Sequence, residues 1–535
     1  MGGMGRGRRS RWRTGIGLVA LLALAGCGIV PPGVDDSTGR TPAPTSTSDQ
    51  PTVPPTPGAS GSADGSTTSA PSQPRADLGY RLPRLGPGDA PGLVARLAAM
   101  ATPDFAAVVR WATPAGVTAF GDALDARFAE LARDAASAHG VPWMPGVDIA
   151  PGGVGSACAR HPLTAPTGVS LTVDCQIVAA AGSVVGQRII VLRRDGRTAA
   201  PLERTVWYAD VATGEIGDGS ALYLPGVEHR VLRLLAEGLR EGGSTSAASV
   251  AVAALAPDAV RTLLADTVVT ADDFVVQVPL VPSADGRGRQ LVSVLVPVRL
   301  LVPFLSPFGA AVHGVVAGGA PFRVADAPAA ADPIDCTLVA CASITFDDGP
   351  TSLTDGLIDL LHEWRAPATF FLQGVNVEKR PEVAKRLMDE GHELGNHTWN
   401  HPALTKLPDP EVRAQVKRTQ AAIAAATGIT ARSLRPPYGD VDKRVRGVVG
   451  LPIVVWDVDT LDWTEPGSEV VAERAVGESS RGSIVLMHDT HSATVAAVPD
   501  VVDGLRDRGF TLATVAEQFG GSLPPAGQTV SRGPR

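Results

Sequence analysis

The sequence predicts a multi-domain α/β protein: a C-terminal parallel β/α barrel, an α+β region before it, and a disordered tether before that. Three observations carry this reading. From about Asp335 to Gly520, apolar runs of strand length alternate with segments of helical spacing, the pattern of repeated βα units. The stretch from Leu78 to Asp326 mixes period-two and helix-period segments without that alternation. Gly28 to Asp77 is dominated by Pro, Ser, Thr, Gly and Asp, with too few large apolar residues to bury a core. A chain of 535 residues has room for two to three domains. Its formal net charge of −8 gives no reason to expect a nucleic-acid partner.

Taken in order, Arg6, Arg8, Arg9, Arg11 and Arg13 precede an apolar run, Ile16 to Ala25, too short to span a bilayer as a mature helix. This reads as a signal peptide over residues 1–26, with Arg8-Arg9 as part of an ordinary basic leader. Its end, Leu24-Ala-Gly-Cys27, resembles the bacterial lipobox, which would make Cys27 the lipidated first residue. Residues 27–77 then form the tether, whose coil would reach roughly 40 Å root-mean-square.

Within 78–330, helices are expected over Leu93–Met100, Phe120–Ala138, Val227–Leu239 and Ser249–Leu264. Strands are expected over Val169–Ile177, Arg188–Arg193, Thr205–Val211 and Phe274–Val281, and Leu291–Val302 is a long apolar run. His161, His229 and His313 have no partners at ligand spacing. Besides Cys27 there are four cysteines, an even set in an exported chain. Of three connectivities, Cys158–Cys175 would pin the first sheet and Cys336–Cys341 would clasp the entry to the first barrel strand.

The barrel region, 334–523, centres on Ser343-Ile-Thr-Phe-Asp-Asp-Gly-Pro350. A short buried strand ends at Gly-Pro, so Asp347 and Asp348 sit at its C-terminal lip, where barrel enzymes keep their chemistry. Neighbouring strand residues point opposite ways, so the two carboxylates can take different jobs. Downstream, after further strand-like runs, come His397-Thr-Trp-Asn-His401, Arg435-Pro-Pro-Tyr-Gly439, Asp459-Thr-Leu-Asp-Trp463 and Leu486-Met-His488. Asp348, His397 and His401 together would make a two-histidine, one-carboxylate set with an open position, the pattern of a catalytic rather than structural zinc. Beyond Leu523 the tail, 524–535, is polar and Pro/Gly-rich and is expected to be disordered.

These five motifs resemble those of the polysaccharide deacetylase family, the NodB-homology or carbohydrate esterase family 4 domain, and stand here without a departure. The resemblance implies a distorted (β/α) barrel and a metal-dependent deacetylase of acetylated sugar polymers. It implies Asp348, His397 and His401 as ligands of one divalent cation, zinc first, with cobalt, nickel or manganese also fitting such donors. Asp347 would be the general base, Arg435 its partner, His488 the general acid and Asp462 the group raising its pKa. The backbone N–H of Tyr438 would stabilise an oxyanion, while Trp463 and Leu486 would line the pocket for the acetyl methyl. Thr205 to Glu215 and Val298 to Phe304 are similar to an extracellular domain that precedes some peptidoglycan deacetylases and occurs in lysozyme-sensing anti-sigma factors. The expected function is therefore peptidoglycan N-deacetylation by a monomer, lipid-anchored to the outer face of the membrane and facing the wall. The alternatives are deacetylation of chitooligosaccharide, xylan or another wall glycan, or a non-catalytic wall-binding lipoprotein.

Overall fold

A computed structural model describes residues 73–115, 118–149, 158, 169–195, 198–199, 203–242, 252–279, 291–324 and 334–534. The expected signal peptide, Cys27, most of the tether and His161 lie outside the described residues.

The first sheet contains β2 (Leu93–Ala101), β3 (Phe105–Pro114), β4 (Val169–Ala181), β5 (Val184–Asp195), β6 (Thr198–Ala199), β7 (Glu203–Asp210) and β8 (Glu215–Asp218). Their order is β2-β3-β4-β5-β7-β8, with β6 on the edge of β5, and only the β3–β4 pair is parallel. The helix Thr118–Ala138 buries Phe120, Leu124, Phe128 and Leu131 at helical spacing against this sheet. The second sheet is antiparallel, ordered β1 (Arg75–Asp77), β11 (Leu291–Pro297), β10 (Asp273–Pro279) and β9 (Thr267–Val269). The helix Glu228–Glu241 covers it with Val231, Leu232, Leu235 and Leu239. A buried Arg188–Asp266 pair, with Nη2 to Oδ2 at 2.5 Å, links the two sheets.

Several sequence expectations change here. Leu93–Met100 is a strand, because the Thr102-Pro-Asp turn folds it back so that Leu93 faces Pro114 and Ala101 faces Ala106. Pairing along its whole length overrides the helical spacing. The expected helix over Ser249–Leu264 is broken at Leu255–Ala256, and a new helix starts at Pro257, which suits the first helical turn. Arg75–Asp77 pairs with β11 instead of ending the tether, so the fold begins before residue 78.

The C-terminal region forms a ring of parallel segments. β12 (Cys341–Asp347), β13 (Thr369–Leu372) and β14 (Glu393–Asn396) pair in sequence, and Leu434 bridges Asn396 to Ile453. β15 (Ile453–Val454) and β16 (Val458–Asp459) are two halves of one kinked segment. Its first half meets Leu434, and its second half pairs with β17 (Ile484–His488), which returns to β12. The intervening helices include Thr354–Glu363, Pro381–Asp389, Asp409–Thr427, Ser468–Gly477 and Ser492–Asp507. Ile344, Phe346, Phe370 and Leu372 pack outward against these helices, so Thr345 and Asp347 alternate into the ring.

The tail corrects the sequence reading outright. It is not disordered: β19 (Thr529–Val530) adds a parallel strand to β15, and Gly533 N–H donates to the Gly482 carbonyl. Its low complexity hid a strand of only two residues. β18 (Thr511–Leu512) pairs with the start of β12. Both disulfides, Cys158–Cys175 and Cys336–Cys341, are formed.

All described residues belong to one compact unit, Thr68–Arg535. One core cluster contains Phe105, Trp111 and Phe128 together with Leu338, Val339, Cys341 and Ala513. The N-terminal region therefore packs on the end of the barrel where β12 begins. Asp347, six residues further along a strand rising about 3.3 Å per residue, lies about 20 Å away at the opposite end.

Candidate active site

The five motif loops converge at that far end. Asp347 is the last residue of β12 and lies level with His488, the last of β17. Asp348 follows in the left-handed region (φ 77°), and both carboxylates come close to His397 Nε2, Asp348 Oδ1 at 3.4 Å and Asp347 Oδ2 at 3.8 Å. The turn after β14 carries His397 and His401, with Thr398 (φ 65°) and His401 (φ 64°) also left-handed. The two histidines thus share a tight turn, not a helix.

Nε2 of His397 and Nε2 of His401 each lie 3.4 Å from Asp348 Oδ1. Two donors each about 2.1 Å from one tetrahedral ion would stand about 3.4 Å apart, so the three side chains fit a common cation. The donors are also committed in the right sense. His397 Nδ1 lies 2.7 Å from the Arg435 carbonyl, which fixes the proton there and leaves Nε2 free to ligate. Gln373 Nε2 donates to Asp348 Oδ1 at 2.6 Å, and Asn376 Nδ2 donates to the Asp348 carbonyl at 2.8 Å. Burial by itself would raise the pKa of Asp348, but the two imidazoles and Gln373 outweigh it and hold it below its usual value. Burial depresses His401, keeping its ring neutral and ready to bind a cation.

Asp347 is almost fully buried, and Arg435 Nη1 donates to its Oδ1 at 2.8 Å and to Thr345 Oγ1 at 2.7 Å. Arg435 is itself fully buried; its guanidinium lies over the Phe371 ring at 4.1 Å and donates Nε to the Val454 carbonyl at 3.3 Å. Tyr438 (φ 62°) is exposed and edge-on to His401, and its backbone N–H makes no hydrogen bond among the described residues.

Asp462 binds His488 twice: Oδ2 accepts from the His488 backbone N–H at 2.7 Å, and Oδ1 lies 2.8 Å from Nδ1. Thr494 Oγ1 also donates to Asp462 Oδ2 at 2.7 Å. Burial would lower the pKa of His488, but the Asp462 bond and the carboxylates of Asp347, Asp462 and Asp348 prevail and raise it to about 9. Leu486 is buried one inward-facing position below His488, whereas Trp463 is 55% exposed at the rim.

Three contributors went unnoticed in the sequence. Gln373 and Asn376 follow the apolar strand Thr369–Leu372, where a polar residue at a strand end was the available signal. Asp489, next to His488, is fully buried and accepts from Thr354 Oγ1 at 2.5 Å. Burial pushes its pKa up to about 7. It also explains Gly349, since a Cβ there would lie 2.2 Å from Asp489 Oδ2.

The family model "Polysaccharide deacetylase" matches residues 335–450. Among curated proteins, the chain is 34% identical over 192 residues to a chitooligosaccharide deacetylase of Sinorhizobium fredii, covering 32% of this chain and 89% of that one. The chain belongs to the polysaccharide deacetylase family. It is 41% identical over 182 residues to the peptidoglycan-N-acetylglucosamine deacetylase PgdA of Listeria monocytogenes, covering 34% of this chain and 39% of that relative. A peptidoglycan-N-acetylglucosamine deacetylase of Bacillus cereus is 34% identical over 185 residues, covering 33% of this chain and 67% of that protein. The chain thus spans about two fifths of the length of the Listeria relative.

Proposed function

We propose that this polysaccharide deacetylase family member is a metal-dependent hydrolase that removes N-acetyl groups from amino sugars of a cell-wall polysaccharide, with peptidoglycan as its substrate. The observation that carries the reading is the level placement of Asp347 and His488 on adjacent strands beside the Asp348–His397–His401 set. A carboxylate hydrogen-bonded to a buried arginine and an imidazole held protonated by a buried carboxylate stand as candidate base and acid. A divalent cation on the three donors would supply Lewis acidity toward a water and an acetyl carbonyl.

The chain's own groups do the rest. Asp347 accepts the proton of the attacking water, and the Arg435 hydrogen bond keeps that carboxylate aimed. The free N–H of Tyr438 donates to the oxygen on which charge develops. His488 delivers its proton to the departing amine, and Asp462 stabilises the imidazolium and fixes the ring. Leu486 forms the floor of the acetyl pocket and Trp463 its outer wall.

The division of the molecule is part of the same reading. Cys27 anchors the protein by lipid to the outer face of the membrane, residues 27–77 carry it into the wall, and the α+β region places the barrel. The three-donor set and both proton-transfer groups are complete, which favours an enzyme over a non-catalytic wall binder. Among glycans, the expected location favours peptidoglycan over chitooligosaccharide or xylan.

Incubating the fragment from residue 73, loaded with zinc, with purified peptidoglycan should yield muropeptides lighter by acetyl groups in mass analysis. Loss of acetyl only from chitooligosaccharide or xylan would move the substrate. No loss from any of them, with the ion bound, would sink the hydrolase reading.

A further inference from the structure

We propose that the C-terminal segment Gln528–Val530 is a positioning element of the catalytic centre, holding Arg435, and through it Asp347, in register. This rests on the deacetylase reading above. The connection is made of successive hydrogen bonds. Ile453 N–H donates to the Gln528 carbonyl and Val455 N–H to the Val530 carbonyl, both at 2.8 Å. The carbonyls of the strand so held receive the Arg435 side chain: Val454 from Nε at 3.3 Å, and Val455 from Nη2 at 3.4 Å. The remaining Arg435 nitrogen, Nη1, holds Asp347.

The strand needs such a support. The segment 453–459 joins the ring through only a few paired residues, since it touches Leu434 on one side and pairs with β17 over two residues on the other. It is a thinly paired seam of the barrel, and it is the seam on which Arg435 rests. β19 lies along its free stretch, and Val530 packs into the cluster of Phe371, Val454 and Ile484. Phe371 is also the ring beneath the Arg435 guanidinium. Arg532 locks the segment in place by pairing with Asp457, in the middle of the kinked strand, and with Ser480. Asp457 in turn accepts from Ile484 N–H at 2.7 Å and Ser483 Oγ at 2.9 Å, tying the tail to β17 as well. Gly527 (φ 80°) and Gly533 permit the close approach: a Cβ at Gly533 would lie 2.0 Å from Gln518 Oε1. Among the described residues no tail residue hydrogen-bonds or pairs with Asp347, Asp348, His397, His401 or His488, so the effect of the tail passes through Arg435.

The test is a double-mutant cycle in the zinc-loaded protein, comparing the full chain with one ending at Leu523, each with Arg435 and with Arg435→Lys. Lysine keeps a charge near Asp347 but cannot bond both strand carbonyls. Removing the tail should lower kcat on a soluble chitooligosaccharide about 10- to 100-fold, the scale of a small misplacement of a catalytic group, with KM changed less than about threefold. Zinc stoichiometry, read by metal analysis, should stay at one per chain. In the Arg435→Lys background the same truncation should cost little more, because the link is already cut. A shortened chain that turns over like the full one, or a loss that adds fully to that of Arg435→Lys, would overturn the proposal. If the shortened chain loses its cooperative melt, Val530→Gly in the full chain carries the same cycle. A full-length protein with zinc bound and no turnover of chitooligosaccharide, xylan or peptidoglycan would instead refute the underlying reading, a result distinct from equal turnover of both lengths.

Discussion

The two ends of the barrel's first strand are built by opposite rules. Where β12 begins, Cys341 is bonded to Cys336 and packs with Leu338, Val339 and Ala513 against Phe105 and Trp111 of the N-terminal region. Where it ends, Asp347 and Asp348 face two histidines, a buried arginine and a histidine–aspartate pair. Six of the nine non-glycine residues with positive φ among the described residues, Asp348, Thr398, His401, Tyr438, Leu461 and Glu465, lie in the loops of this second end. Each such residue costs stability and persists only because its surroundings determine it. The contrast teaches that the apolar end supplies the rigidity that the strained, polar end consumes.

The sharpest way to break this comparison is to remove a group at the polar end. Asp348→Asn, His397→Ala and His401→Ala should each lose zinc and activity together, checked by metal analysis beside acetate release. Asp347→Asn should keep the metal and lose turnover by about two to four orders of magnitude, the scale of a lost general base. A loaded Asp348→Asn and an emptied Asp347→Asn would reverse the assignment.

The next effect is on pH dependence. His488, with its pKa raised to about 9, is protonated through the neutral range and gives up that proton as pH rises. Activity that needs the imidazolium should therefore fall on the alkaline side. Asp462→Asn removes the carboxylate that holds the proton, so the alkaline limb of kcat/KM should move to lower pH. The loss at neutral pH should be smaller than the roughly 10²- to 10⁴-fold cost of removing His488. An unmoved alkaline limb in Asp462→Asn would exclude His488 as the titrating acid.

These groups were legible in the sequence because the chemistry dictates their types and the strand ends dictate their places. The strands of the barrel were legible too, from short apolar runs between helical spacings. What escaped was set by partners distant in sequence. Leu93–Met100 carries helical spacing, yet the hairpin to Phe105–Pro114 decides its state. Thr529–Val530 carries no pattern at all, and only β15 makes it a strand. Asp489 shows its place in the fold only once Thr354 and Gly349 are seen around it. The division at residues 330–334 separates two sets of sheets, each with a buried cluster of its own, but a further core cluster spans it.

That shared core gives a milder way to break the comparison. A barrel beginning at residue 334 keeps every group of the polar end and exposes Leu338 and Val339, which are nearly fully buried. Uncovering two such side chains costs about 3–6 kcal/mol, so the melting temperature should fall by about 10–20 °C in calorimetry. Below its melt, the fragment should still deacetylate short soluble oligosaccharides while acting poorly on insoluble wall. Equal activity on both would reduce the N-terminal region to a spacer; a folded fragment dead on both would show that the polar end depends on it directly.

The smallest effect lies at the seam between the regions, where Asp148 and Arg508 form an ion pair at 2.7 Å. Asp148 is 54% exposed, and an exposed pair is worth only about 0–1 kcal/mol, so Asp148→Asn should shift the melt by no more than a few degrees. Arg508 has further partners: it also donates to the carbonyls of Val476 and Ser479, at 2.9 Å in the latter case, and so ties off the end of the helix Ser468–Gly477. Arg508→Ala should therefore cost more than Asp148→Asn. The hydrogen bond from Arg508 holds the pKa of Asp148 below its usual value. A depressed carboxylate stabilises the fold above its unfolded pKa and loses that contribution as pH falls through the folded one. The gap in melting temperature between the wild type and Asp148→Asn should accordingly be present at pH 7 and close in acid. A gap that stayed constant down to pH 3 would mean that the residue acts through its left-handed backbone (φ 59°) and not through its charge.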